Sequence, residues 1–144
     1  MMNLFKDVEM KQQLLPITDN IMEVLVMILD FTNSRHKTLI ENLNNVNTED
    51  YVPYDLDVDG FAETIEQALT AHIVSGRLAL VDSENICFNS EGNFNVVAVE
   101  DKIAKQLFDN DIEKYLEHQK RKLSENAINS RLAAELLRRK QTIS

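Results

Sequence analysis

The stretch that decides the fold runs from Thr18 to Val46, TDNIMEVLVMILDFTNSRHKTLIENLNNV. Ile21, Val24, Leu25, Ile28 and Phe31, then Leu39, Leu43 and Val46, recur at steps of three and four, the period of an α-helix. Thr18 and Asp19 offer side-chain oxygens for the first free N–H groups. The spacing therefore predicts a helix from residue 19 to about Val46. Its first half is apolar nearly all round, and such a surface must be buried inside the monomer or against a partner.

Residues 1–18 are polar with scattered apolar side chains and Pro16 near the end, and read as a flexible lead. Asn44 to Tyr54, with three asparagines and Pro53, reads as an extended turn. A second helix is expected from Asp57, because Val58, Phe61, Ile65, Leu69 and Ile73 repeat at three to four, with Gly76 as its stop. Residues 19–76 thus form one helix–turn–helix block. Residues 77–100 change period: Leu78–Val81, Ile86–Phe88 and Phe94–Val99 are β-prone runs, with Ser90-Glu91-Gly92-Asn93 as a hairpin turn. After Glu100 neither glycine nor proline occurs, and residues 101–144 read as one or two long helices. In these, Ile112, Leu116, Leu123, Ala127, Ala134 and Leu137 sit mostly at three, four or seven residue intervals, with Leu132 and Leu136 beside them. The expected fold class is mainly α, with long first and last helices packing together, a short middle helix and a small β-prone hairpin or loop.

A length of 144 residues excludes a doubly wound or barrel enzyme and suits a single core. The formal net charge of −9 opposes sequence-independent attraction to nucleic acid or anionic lipid. The charge is unevenly placed: residues 1–110 carry 19 acids and 7 bases, whereas residues 111–144 carry 5 acids and 8 bases. The basic triplets Lys120-Arg121-Lys122 and Arg138-Arg139-Lys140 lack aromatic or glycine neighbours and read as a solvated helix face. The longest apolar stretch, Ile21 to Leu29, contains Glu23 and is too short to span a bilayer, so direct membrane insertion is not expected. The first residues do not read as a cleaved secretory signal.

Chemistry-bearing patterns are few. Asp55, Asp57, Asp59, Gly60 and Glu66 satisfy EF-hand loop spacing, in which carboxylate oxygens ligate calcium and glycine makes the sharp turn. Against this, Pro53 hinders an entering helix and Leu56 and Val58 occupy usually polar positions. The preferred reading is that the aspartates cap a helix at its positive end while Val58 and Phe61 face the core. His36, His72 and His118 lie far apart, which gives no metal-ligand spacing. Cys87, between Ile86 and Phe88, reads as a buried thiol. No constellation for catalysis is visible, and no cofactor is called for.

Residues 35–51 carry a more specific pattern. Arg35, Leu39, Asn42, Leu43, Asn45, Thr48 and Tyr51 fall at the spacing of the signature of flagellar rod and hook proteins: an arginine, then Leu-x-x-Asn-Ile-Ala-Asn-x-x-Thr-Pro-Gly-Tyr near the end of a long first helix. The continuation through Asp55, Asp57, Val58 and Phe61 resembles the FlgB family of basal-body rod proteins. So does the far end: Asn110-Asp111-Ile112-Glu113-Lys114, Leu123-x-Glu125-Asn126-Ala127 and Ala133-Ala134-Glu135-Leu136-Leu137-Arg138-Arg139-Lys140. Where that family has Pro-Gly, this chain has Glu49-Asp50. A turn that would use glycine's positive φ must then be built from aspartate or take another shape. Asn44 replaces an alanine at a tight packing point.

The resemblance implies a non-enzymatic structural subunit whose terminal helices pair side by side in the rod. It implies export by the flagellar type III apparatus, residence in the basal body in the periplasm, and other rod subunits, basal-body proteins and the export apparatus as partners. The residues it points to for assembly are those of the signature, with Leu123, Ala127, Ala134 and Leu137 along the closing helix. A cytosolic helical adaptor or regulator, using the same amphipathic ends as binding faces, is the alternative. A single-site calcium module follows it.

Overall fold

The computed structural model describes residues 19–75, 82–88 and 94–143. The lead segment, the β-prone run 78–81 and the turn 90–93 lie outside the described residues. The chain is mainly helical, as the periodicity predicts. Helix α1 spans Asp19–Asn44, strand β1 Tyr54–Asp55 and helix α2 Val58–Ser75. Strands β2 (Ile86–Phe88), β3 (Phe94–Val96) and β4 (Val99–Glu100) follow, and then helices α3 (Lys102–Asn110) and α4 (Ile112–Ile143).

Helices α1 and α4 lie side by side and antiparallel: Asn42 bonds Gln119, while Thr32, ten residues earlier, bonds Asn126. The apolar half of α1 is covered within the monomer. Ile21, Val24, Leu25, Met27, Ile28 and Phe31 join Leu56, Val58, Phe61, Ala62, Ile65, Leu69, Ile86, Ala133 and Leu136 in one buried cluster. At its centre the rings of Phe31 and Phe61 stack with centroids 4.1 Å apart. Burying side chains of this size stabilises by about 1.5–3 kcal/mol each.

Two antiparallel strand pairs complete the fold. β2 pairs with β3, placing Ile86 opposite Val96. The alternation of that strand buries Ile86 and turns Cys87 to solvent, so the thiol is exposed and not buried as its neighbours suggested. β1 pairs with β4 across more than forty residues, Tyr54 opposite Glu100, and the Asp101 N–H donates to the Pro53 carbonyl at 3.0 Å. This pairing ties the end of the signature segment to the start of the C-terminal helices.

The two C-terminal helices are separated by one residue. Asp111 is extended (φ −155, ψ 92); its N–H donates to the Leu107 carbonyl, closing α3, and its Oδ1 accepts from the Lys114 N–H, opening α4. A carboxylate cap breaks the helix here without glycine or proline. No helix among the described residues is long and apolar enough to cross a membrane.

Candidate functional site

The residues of the signature lie on the last three turns of α1 and the loop that follows. Asn45 and Thr48 shape that loop. The Asn45 side-chain amide donates to the Glu41 carbonyl at 2.8 Å, and the Thr48 hydroxyl donates to Asn45 Oδ1 at 2.9 Å. Successive backbone bonds, Thr48 N–H to the Asn45 carbonyl and Tyr51 N–H to the Thr48 carbonyl, then turn the chain back. Asp50 takes φ 59, the left-handed region that favours glycine. The turn is therefore built from aspartate, at the position where the resembling family has glycine. Aspartate is among the non-glycine residues that adopt this conformation most readily.

The loop returns Tyr51 and Tyr54 to Asn42, which is fully buried. The Asn42 amide donates to the Tyr54 carbonyl at 2.7 Å and to Gln119 Oε1 at 2.9 Å. Its Oδ1 accepts from the Tyr51 hydroxyl at 2.9 Å and the Tyr54 N–H at 3.2 Å. The Tyr115 hydroxyl donates to the Asn42 backbone carbonyl at 2.9 Å. One side chain thus holds the helix end, the returning loop and α4 together. Phe108 of α3 closes this corner, edge-on to Tyr115 with ring centroids 5.1 Å apart, and Lys105 Nζ donates to the Tyr51 carbonyl at 3.0 Å. Burial raises the phenol of Tyr51 and pushes that of Tyr115 well above its ordinary range, so both remain hydrogen-bond donors.

Two turns earlier, Arg35 is buried and grips Asp55 bidentately, Nε to Oδ1 at 2.9 Å and Nη2 to Oδ2 at 3.0 Å. Lys122 of α4 extends the chain of charges, with Nζ 2.7 Å from Asp55 Oδ2 and 2.6 Å from Asp101 Oδ2. Asp101 Oδ1 accepts from the Ala104 N–H and caps α3. Burial alone would raise the Asp55 carboxyl. The hydrogen bonds and charges of Arg35 and Lys122 outweigh it and hold the carboxyl below its usual range. His118 beside this cluster is pushed down, first by burial and then by the Lys122 charge. Further along the seam, the Asn126 amide donates to the Thr32 carbonyl at 2.7 Å.

These contacts account for the acidic loop motif. Asp55 is occupied by two cations. Asp57 caps α2, its Oδ1 accepting from the Gly60 N–H at 2.9 Å, and Gly60 leaves room for that carboxylate, since a Cβ there would stand 2.2 Å from Asp57 Oδ2. Asp59 and Glu66 lie two turns apart on α2. The four carboxylates do not converge, and among the described residues no cluster of three or more His, Cys, Asp or Glu has metal-binding geometry.

Other expected positions shift. Leu39 is buried and Leu43 half-buried, but Asn44 is exposed, so its side chain meets no tight packing point. On α4 the buried positions are Tyr115, Gln119, Asn126, Ala133, Leu136 and Lys140, with Lys122 mostly covered. The expected seam of Leu116, Leu123, Ala127, Ala134 and Leu137 stands one residue away from this stripe. Leu116, Leu123 and Leu137 are half-buried, Ala127 and Ala134 exposed, and Ile112 is exposed at the helix start. The apolar period marks the flank of the helix because the face turned to α1 is polar for most of its length. Lys122 and Lys140 likewise depart from a solvated basic face.

Tyr115 and Gln119, not singled out in the sequence, and Lys122 and Asn126, read there only within other motifs, do carry a signal. They recur at steps of four, three and four, opposite Thr32, Arg35, Leu39 and Asn42 at steps of three, four and three. No protein-family model, curated protein or solved structure matches the chain.

Proposed function

We propose that the chain is a structural subunit of the bacterial flagellar basal-body rod, of the proximal type, which assembles by helix packing and not by catalysis. The observation that carries this reading is the backbone of the signature loop. Asp50 adopts a positive φ at the position of the family's glycine, and the neighbouring Tyr51 returns to Asn42, another signature residue. The spacing resembles the family in sequence, and the loop places each polar signature residue in a role that suits its type. Arg35 and Asn42 join α1 to the loop and to α4; Asn45 and Thr48 build the turn.

In this reading the α1–α4 pair is the unit that enters the axial assembly. The half-exposed flank of α4, Leu116, Leu123, Ala127 and Ala134, is available to neighbouring rod subunits and other basal-body proteins. The chain leaves the cytoplasm through the flagellar export apparatus and resides in the basal body within the periplasm. Fractionation of cells carrying a tagged copy tests this. Recovery with purified basal bodies, together with loss of flagella on deletion of the gene, supports the rod subunit. Recovery from the cytosol alone favours the adaptor.

A further inference from the structure

We propose that the acidic face of α2 is the acceptor for the cation-edged flank of α4 on a second copy of the chain. The proposal rests on the rod reading and deepens it by naming two surfaces that meet. On α2, Asp59, Glu63, Glu66 and Thr70 follow one another at steps of four, three and four and so share one stripe. Asp59, Glu63 and Thr70 are exposed and Glu66 is half-buried. The helix contains no lysine or arginine, and none of its three carboxylates forms an ion pair among the described residues. Its opposite face, Phe61, Ala62, Ile65 and Leu69, is spent in the core.

The complementary surface lies on α4, where six bases are exposed, Lys114, Lys120, Arg121, Arg131, Arg138 and Arg139, against two exposed acids, Glu113 and Glu117. Leu116, Leu123 and Ala127 form a part-exposed apolar stripe bordered by exposed Lys120 and Arg131, and neither cation forms an ion pair among the described residues. Leu116 and Lys120 also line a shallow groove with Arg121, Ser124, Glu113 and Glu117, the Glu117 carboxylate being engaged by Arg121 at 3.7 Å. Lys120 and Arg131 stand about 16 Å apart along α4, and Asp59 and Glu66 about 10 Å apart along α2. The reach of the two long cationic side chains spans the difference. A net charge of −9 disfavours nucleic acid as the occupant of the α4 cations, whereas the chain itself supplies an acidic helix face with no ion pair among the described residues. The two surfaces are different elements, so a contact made once per pair is heterologous and propagates from copy to copy.

Sedimentation velocity of the full chain over a concentration series, at about 20 mM and about 500 mM NaCl, tests the contact. Association is expected at low salt and reversal at high salt. Glu63→Lys with Glu66→Lys, and separately Lys120→Glu with Arg131→Glu, should each weaken association by about tenfold or more. Mixing the two variants should restore it, because each then offers the surface the other needs. The α2 variant moves the net charge toward zero, so association driven by reduced repulsion would strengthen instead. Circular dichroism of each variant confirms that the fold is kept. A monomer at every concentration, association indifferent to both variants, or failure of the mixture to associate would overturn the contact. Recovery with basal bodies alongside any of those results would leave the rod reading standing without it.

Discussion

Replacing Asn42 with alanine tests whether the signature asparagine works inside the monomer. Its side chain makes four hydrogen bonds, two donated and two accepted, to Tyr51, Tyr54 and Gln119. Gln119 is fully buried, so its carbonyl loses its partner where water does not reach. A buried polar group left unpaired costs about 1–3 kcal/mol. The Tyr54 N–H and carbonyl lie nearer the surface and recover part of their loss from solvent, as does the half-buried Tyr51 hydroxyl. The expected destabilisation is about 3–5 kcal/mol, a third or more of the stability of a typical domain. Urea unfolding followed by far-ultraviolet circular dichroism measures it, and the slope should be unchanged. Asn42→Asp keeps the two acceptor bonds but sets a buried carboxylate against the Tyr54 and Gln119 carbonyl oxygens, so at neutral pH it should cost at least as much as alanine. A double-mutant cycle with Gln119→Ala should show coupling of about 1 kcal/mol or more. A cost for Asn42→Ala below about 1 kcal/mol would refute the reasoning and transfer the role of Asn42 to a partner contact.

Four further outcomes are expected. The Asp55 carboxyl is held below its usual range, so its contribution to stability is present above the unfolded-state value near pH 4 and is lost as pH falls through the lower folded-state value. Asp55→Asn should flatten that part of the pH–stability curve and cost roughly 3–5 kcal/mol at neutral pH, because it strands the buried Arg35 guanidinium. Asp50→Gly should raise stability by about 0.5–1 kcal/mol, since glycine takes a positive φ without the steric cost; a loss in thermal unfolding would contradict it. Lys140 is buried and its Nζ has no hydrogen-bond partner among the described residues, so Lys140→Met should stabilise by about 1 kcal/mol or more in the same urea assay. Leu43→Asp and Leu123→Asp each place a charge among half-buried apolar side chains and should abolish motility, and normal swarming by either would count against assembly through these helices.

The helices were legible because their apolar positions keep the 3.6-residue period: α1 buries Ile21, Val24, Leu25, Ile28, Phe31 and Leu39, and α2 buries Val58, Phe61, Ile65 and Leu69. The β-prone runs 86–88 and 94–96 form the expected antiparallel pair, since their alternation suits a small sheet packed on one side. The β1–β4 pair was not legible: each strand has two residues, and its partner is more than forty residues away. The α4 register was misplaced for a physical reason. Hydropathy finds faces that are buried because they are apolar, whereas the inward face here is buried because its polar groups are paired, Gln119 with Asn42, Lys122 with Asp55 and Asp101, Asn126 with Thr32. Pairing between distant segments leaves no mark in the local period of either. The repeated step of Tyr115, Gln119, Lys122 and Asn126 gains its meaning only beside the matching stripe on α1.

The resemblance supplied what composition and periodicity lacked, namely a reason for Arg35, Asn42 and Tyr51 to occur at their spacing. In the fold these residues join the first helix, its loop and the last helix. The exposed residues of the same region, Asn44, Glu49 and Asp50, take no part in that join. Structural and assembly roles are therefore separable by substitution: changes at the buried set should act on stability, and changes on the α4 flank should act on incorporation alone.

The central claim is that the chain is built into the flagellar rod, and quantifying it in purified hook–basal bodies tests that claim most directly. Mass spectrometry of basal bodies from cells expressing the chain at its native level should recover it in fixed proportion to the other rod subunits. Its absence from intact basal bodies, with the protein recovered from the cytosol, would contradict the account.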